Sequence, residues 1–419
     1  MKLSRFGERF CRETGIVQLM DDIGTAIHEM PDAIMMGGGN PSRIAGVEAT
    51  IARHLQAIAA DGDALYSALG TYQPPQGDPQ FLGELAAYLR KRCGWRVNAR
   101  NLALLNGSQS VFFILFNMFA GSTAGEGKRR VCLPLVPEYI GYTDAGLEDS
   151  QFVAIKPRIE LQDEMQFKYR VEFAELRQLT DVGTLCLSRP TNPTGNVHSE
   201  QEIEQLDAIA RDQGVPLIID GAYGLPFPGI VFTDARAYWN DNIILVLSLS
   251  KLGLPGARTG IVVANEDIAT AVQRANAIIS LATGNIGPAL GQRLLASGEL
   301  DSLCRDAVRP FYASRLQFAL EQLRKNCEGL PLRIHKPEGG IFLWLWFEGL
   351  PGGSAELYRR LRKRGVLVIP GGNFFPGLDA AVDWPHRHEC IRMTYGQDRE
   401  VLARGVEIIA SEVRHIYAA

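Results

Sequence analysis

The sequence predicts an α/β protein with a large lobe, built on a mostly parallel sheet sandwiched by helices, and a smaller α+β lobe. Three observations predict it. The chain has 419 residues, beyond the roughly 250–300 at which a single core stops growing. Its middle alternates short apolar runs with amphipathic helical stretches, as a sheet with helical crossovers requires. After about Leu281 that alternation gives way to long helical stretches and fewer strands. The expected division is an N-terminal segment over 1–48 that packs on the small lobe, a large lobe over 49–299 and a small lobe over 300–419.

The elements follow in order. "LALLN" (Leu102–Asn106) is a strand, and "GSQSVFFILFNMFAG" after it is a helix. "RVCLPLV" (Arg130–Val136) and "GTLCLSRP" (Gly183–Pro190) are strands, followed by the helix "SEQEIEQLDAIARDQG" (Ser199–Gly214). "VPLIID" (Val215–Asp220), "NIILVLSLS" (Asn242–Ser250) and "RTGIVVAN" (Arg258–Asn265) complete the large lobe's strands. In the small lobe "GGIFLWLWF" is a strand, a helix lies near Ala355–Arg364, "VLVIPGG" is extended, and a last helix begins near Arg399.

Composition narrows the function classes. The chain is 46% hydrophobic and 21% charged with a net charge of -4, so no basic field invites nucleic acid or an anionic membrane. The apolar runs "VFFILFNMFAG" and "GIFLWLWF" are too short to cross a bilayer as helices and read as core. Seven scattered cysteines without a C-x-x-C pair, and a first segment without an apolar signal core, lead us to expect a cytoplasmic protein with reduced thiols. "HRHEC" (His386–Cys390) lacks the partner set of a structural zinc site and reads as a polar loop, so no metal is expected.

The first five strands all end in polar or turn residues: Gly107-Ser108-Gln109, Pro137-Glu138-Tyr139, Asn192-Pro193, Asp220 with Tyr223, and Ser248 with Ser250 and Lys251. Ligands of open α/β sheets bind beyond the carboxyl ends of the strands, so five such endings suggest one shared site. Lys251 follows a buried run. It is either a lysine snorkelling to solvent or an amine of lowered pKa suited to a Schiff base. Asp220 either caps a turn or keeps a heterocyclic nitrogen protonated, and Tyr223 either packs or bonds a ring oxygen. Gly107, Ser108 and Gln109 open a strong helix, which is a plain N-cap or an anion site. Ser248, Ser250 and Arg258 would complete a phosphate cup, and Asn192 can donate from its amide. Taken together these residues describe a ligand with a phosphate, a protonatable ring nitrogen, a ring oxygen and an aldehyde, which is pyridoxal 5'-phosphate.

At this point the chain resembles the fold-type I pyridoxal-phosphate aminotransferases. The matching segments are "GGGNP", "YQPPQG", "NGSQS", "PEYIGY", "SRPTNPTGN", "IIDGAYG", "SLSKLGLPGARTG" and "CIRMTYG", which spread over nearly the whole chain. Longer strings such as "HKPEGGIFLWLWF" and "GGNFFPGLD" are similar to those of the branch that exchanges an amino group between valine and pyruvate.

The resemblance implies that Lys251 holds the cofactor aldehyde and carries the proton. It implies that Asp220 pairs with the ring nitrogen, that Asn192 and Tyr223 face the ring oxygen and that Tyr139 stacks on the ring. Ser108, Gln109, Ser248 and Arg258 would bind phosphate. Tyr72 would reach the neighbouring subunit's phosphate, which implies a homodimer with shared sites. Arg392 would clamp the substrate carboxylate, with the Gly39 backbone beside it. The substrates would be amino acids and 2-keto acids: valine, alanine or 2-aminobutyrate with pyruvate as acceptor. Ile16, Val17 and the residues around Tyr72 are candidates for the side-chain pocket. Gly221 stands where the branch commonly has a bulkier polar residue, which would loosen the turn between Asp220 and Tyr223. A carbon–sulfur lyase would share the cofactor residues, and a cofactor-binding transcription regulator would need a DNA-binding module that the sequence does not show.

Overall fold

Runs of leucine and β-branched residues become strands here because helices cover both faces of the sheet they build. The computed structural model describes residues 2–12, 24–25, 30, 32–125 and 127–419. Ile16 and Val17 lie outside the described residues. The larger sheet has eight strands. Leu102–Leu105, Gly260–Val263, Ile243–Ser248, Leu217–Asp220, Val182–Ser188 and Gly127–Leu133 lie side by side in that order. Gly121–Thr123 and Phe152–Ala154 both pair with Gly127–Leu133. The centre of the sheet is parallel, and Gly260–Val263 runs antiparallel to both neighbours. Every residue of Leu217–Asp220, Ile243–Ser248 and Gly260–Val263 is buried, which is why these strands read as unbroken apolar runs.

The second sheet has six strands. Ile369–Pro370, Cys390–Thr394, Phe342–Phe347 and Leu332–His335 are antiparallel neighbours. Gln166–Arg170 then joins Leu332–His335 in parallel, and Arg158–Leu161 closes the edge. Those last two strands come from within the 49–299 stretch. Nothing local marks the pairing of Gln166–Arg170 with Leu332–His335, because that partner lies more than 160 residues further along the chain. Ile34–Met35 pairs with Val366–Leu367, beside this second sheet. Long helices, Arg309–Asn326 and Arg399–Tyr417 among them, accompany it.

"HRHEC" is not a polar loop. His386–Glu389 forms a short helix, and His386 is buried on Trp384 and Trp346 with Tyr169 Oη 2.5 Å from its Nδ1. Its aromatic neighbours explain the burial: Trp384 stands just before it in the chain, and Trp346 and Tyr169 come from strands distant in sequence.

The register of the large sheet positions the site. Ser188 is paired with Asp220, and Asp220 with Val246, so the parallel strands end together at one edge. Gly260 starts its strand at that edge, opposite Ser248 and Leu105.

Candidate active site

Beyond that edge lies a cavity of about 170 Å³. Ser108, Gln109, Tyr139, Asn192, Asp220, Tyr223, Ser248, Ser250, Lys251 and Arg258 line it, together with Phe112, Ser188 and Ala222. Lys251 sits on a single turn, Ser250–Leu252, that follows the Ile243–Ser248 strand. Its Nζ donates to Gly39 O at 2.5 Å and lies 5.2 Å from the centre of the Tyr223 ring. Ser248 Oγ and Ser250 Oγ are 3.0 Å apart. Arg258 ends the Gly/Pro loop in a left-handed conformation, with φ of +47°, which folds its side chain back over the start of the Ser108–Phe119 helix.

Gly107 caps that helix with φ of +91°. A Cβ there would stand 2.3 Å from Arg258 Nη2. The glycine thus leaves room for a guanidinium beside a helix N-terminus, where backbone N–H groups favour an anion. Gly107→Ala is expected to destabilise the protein without cofactor by about 1–3 kcal/mol, from strain and from displacing Arg258. Denaturant unfolding of that form measures it.

Arg392 arrives from the other sheet. Its Nη1 donates to Asn192 Oδ1 at 2.8 Å and its Nη2 to Gly37 O at 2.8 Å. The guanidinium lies 4.0 Å from the Phe342 ring centre and 5.1 Å from that of Phe374. Its Nε is buried without a hydrogen-bond partner. Tyr72 is elsewhere: it is 82% exposed and does not line this cavity.

The charges are unbalanced. Lys251, Arg258 and Arg392 converge on the site, and Asp220 is the acid whose charge acts on the Lys251 amine. Burial, then Arg392 and Arg258, push the Lys251 amine down to about 8, and Asp220 opposes them. Burial pushes Asp220 up to about 6, opposed by the Ala222 N–H, the Tyr142 hydroxyl and Lys251. Burial pushes Arg392 down to about 10. A buried guanidinium with no carboxylate partner is costly, so the site favours anionic ligands. Two unpaired arginines, a glycine cradle at a helix N-terminus, a buried amine and a deep acid fit a ligand with a phosphate, an aldehyde and a basic ring nitrogen.

Sequence reasoning missed three supports. Tyr142 donates from its hydroxyl to Asp220 Oδ2 at 2.9 Å. It stands in the same "PEYIGY" string as Tyr139, and a second tyrosine three residues on was the available signal. Phe342 and Phe374 sandwich Arg392, and no local pattern marks them. Gly221 does not loosen its turn. Its N–H donates to Val246 O at 2.8 Å, and a Cβ would press within 3.1–3.2 Å of Leu247 and Leu245. The strand behind it takes up the space that a side chain would need.

This fold and this set of side chains define a pyridoxal-phosphate enzyme, and the chain belongs to the class I and II aminotransferases, whose sequence pattern it matches over residues 49–409. Its cofactor is pyridoxal 5'-phosphate. Over 418 residues it is 49% identical to the valine–pyruvate aminotransferase of Escherichia coli strain K12, covering 100% of this chain and 99% of that one. The crystal structure of the valine–pyruvate aminotransferase of Salmonella typhimurium LT2 superposes with a TM-score of 0.88 at 46% identity, covering 96% of this chain and 100% of that one. A solved chain from Psychrobacter arcticum 273-4 superposes with a TM-score of 0.96 at 42% identity, covering 100% and 99%. Among the described residues no helix is long and apolar enough to cross a membrane.

Proposed function

We propose that this aminotransferase moves the α-amino group of valine to pyruvate, giving 3-methyl-2-oxobutanoate and alanine. Alanine and 2-aminobutyrate serve as related donors. The observation that carries the reading is the lone guanidinium of Arg392, buried between Phe342 and Phe374 without an acid partner. It suits one carboxylate on an otherwise apolar substrate, and full-length likeness to two valine–pyruvate aminotransferases supports the same choice. The test is a screen of amino acids against pyruvate with the purified protein. Glutamate or aspartate as a far better donor than valine removes the reading.

When bound, pyridoxal phosphate would supply an electron-accepting ring for the reaction. Lys251 Nζ would hold the cofactor aldehyde and, as an amine of depressed pKa, would serve as the base that moves the substrate Cα proton. Asp220 keeps the ring nitrogen protonated, with Tyr142 fixing its carboxylate. Asn192 and Tyr223 would hold the ring oxygen and Tyr139 would pack on the ring, all three lining the cavity. Ser108, Gln109, Ser248, Ser250 and Arg258 receive the phosphate, with the Gly107 turn making room. Arg392 receives the substrate carboxylate beside the Gly39 backbone. Capture of the cofactor by the apoenzyme needs the neutral amine. Its rate is therefore expected to rise with pH and level off above about 8, as stopped-flow absorbance will show.

The working unit is proposed to be a homodimer. Tyr66, Leu69, Tyr72, Ile278, Ile279 and Leu281 are large apolar side chains left exposed, Ile278 at 89%. Asn285 Nδ2 ties the two segments that carry them through Ser67 O and Thr71 O. Such a patch marks an interface, and Tyr72 would complete the partner's phosphate site. Sedimentation is expected to give a dimer, and Tyr72→Phe to weaken cofactor affinity without dissociating it. Dispersed free thiols suit a reducing compartment, and we place the enzyme in the cytoplasm.

A further inference from the structure

Glu138 is a fully buried acid that the reaction above does not use. Its Oε1 accepts the Ser188 N–H at 2.7 Å, and its Oε2 lies 2.6 Å from Ser188 Oγ. Its own N–H donates to Phe374 O at 2.8 Å. Ser188 in turn lines the cofactor cavity, stands in register with Asp220 and accepts the Asn192 N–H on its Oγ at 3.3 Å. Its side chain therefore ties the Tyr139 N–H, which Oε2 accepts at 3.3 Å, to the strand end beside Asp220 and, through Ser188 Oγ, to the loop of Asn192, while its backbone N–H ties it to the Phe374 carbonyl. Among the described residues the titratable groups acting on it are Asp220, Tyr142 and Cys186, and no cation is among these. Burial pushes the carboxyl up to about 8, against the Ser188 hydrogen bonds, and the charge of Asp220 raises it further.

We propose that Glu138 is a positioning residue of this site that works as an uncharged acid, donating from Oε2 to Ser188 Oγ. The Ser188 oxygen then accepts from both Glu138 and the Asn192 N–H, and its own hydrogen is left to face the cavity. The spacing of Asn192, Asp220 and Tyr139 is held by a group that adds no charge. Asp220 thus remains the one negative charge presented to the ring nitrogen. A second buried carboxylate would raise the Asp220 pKa and weaken that contact.

The inference rests on the aminotransferase reading of the site, and the experiment separates the two. The visible absorbance of the lysine-bound cofactor is titrated with pH in the wild type and in Glu138→Gln. The apparent pKa is expected to agree within about 0.3 unit, since a neutral-for-neutral exchange moves no charge. A fall of about one unit or more in Glu138→Gln means that an anion was removed, and overturns the proposal. Glu138→Ala is expected to lower kcat about 10- to 100-fold through misplacement and to weaken cofactor binding to the apoenzyme. Glu138→Gln should restore both to within about threefold of wild type, as retained positioning requires. Equal damage by Gln and Ala, or no damage by Ala, overturns the proposal. If the Ala variant does not fold, the titration and the cofactor Kd of Glu138→Gln still decide. A wild-type protein without the lysine-bound absorbance overturns the site reading itself, and the inference with it.

Discussion

Lys251→Ala is expected to lower the transamination rate by about 10³-fold or more, because under the proposed mechanism the variant loses both the covalent hold on the cofactor and the proton carrier. The visible absorbance of the lysine-bound cofactor should vanish as well. The fold should not suffer. Lys251 is buried beside Arg392 and Arg258, which disfavour its charge, so the native state holds the charged amine reluctantly. Its folded pKa of about 8 lies below the ordinary 10.5. Between those values the unfolded chain binds more protons than the native one, so wild-type apoenzyme gains stability as pH rises through that window. The variant should lack that gain and should match or exceed wild-type apoenzyme near pH 7. Thermal unfolding at several pH values measures this, and a variant with full activity removes the mechanism.

Arg392→Ala is the second large effect. Truncating a buried guanidinium that pairs with a substrate carboxylate is expected to cost about 2–5 kcal/mol, seen as a raised KM for both the amino acid and the keto acid. The loss should fall on both half-reactions alike, since both substrates carry the same carboxylate. Arg392→Lys should recover only part of it. An ammonium can meet a carboxylate but not as a planar fork, and it stacks less well between Phe342 and Phe374. Steady-state kinetics with valine and with pyruvate test this, and an unchanged KM for either removes the carboxylate role.

Much of the fold was legible because the strands of the large sheet are short apolar runs with turn formers at their ends. Leu217–Asp220 and Ile243–Ser248 fall inside the segments that the sequence marks, and the Glu200–Asp212 helix begins at the Ser199 cap and Glu202 box visible in "SEQE". The second sheet was less legible. Gln166–Arg170 is polar and short, and its place beside Leu332–His335 is a long-range pairing that no local period encodes. The short His386 helix was misread for a related reason: one histidine of a polar string is buried because Trp346 and Tyr169 from distant strands, with neighbouring Trp384, cover it.

The candidate site divides the same way. Lys251, Asp220, Ser248 and the Gly107–Gln109 turn are readable in sequence, because the chemistry of each sits at the end of a recognisable strand. Tyr142 beneath Asp220 has only a second tyrosine in "PEYIGY" as its signal, and Glu138 against Ser188 and the rings around Arg392 have none, since each contact joins elements distant in the chain. The sequence by itself determined which groups are available and that a phosphate, an aldehyde and a ring nitrogen would satisfy them. Only the tertiary structure decided that Arg392 meets Asn192 across 200 residues, because that meeting depends on how two sheets face each other. Turn and strand propensities act over a few residues. The docking of one sheet on another is set by buried area and side-chain fit summed over the whole chain.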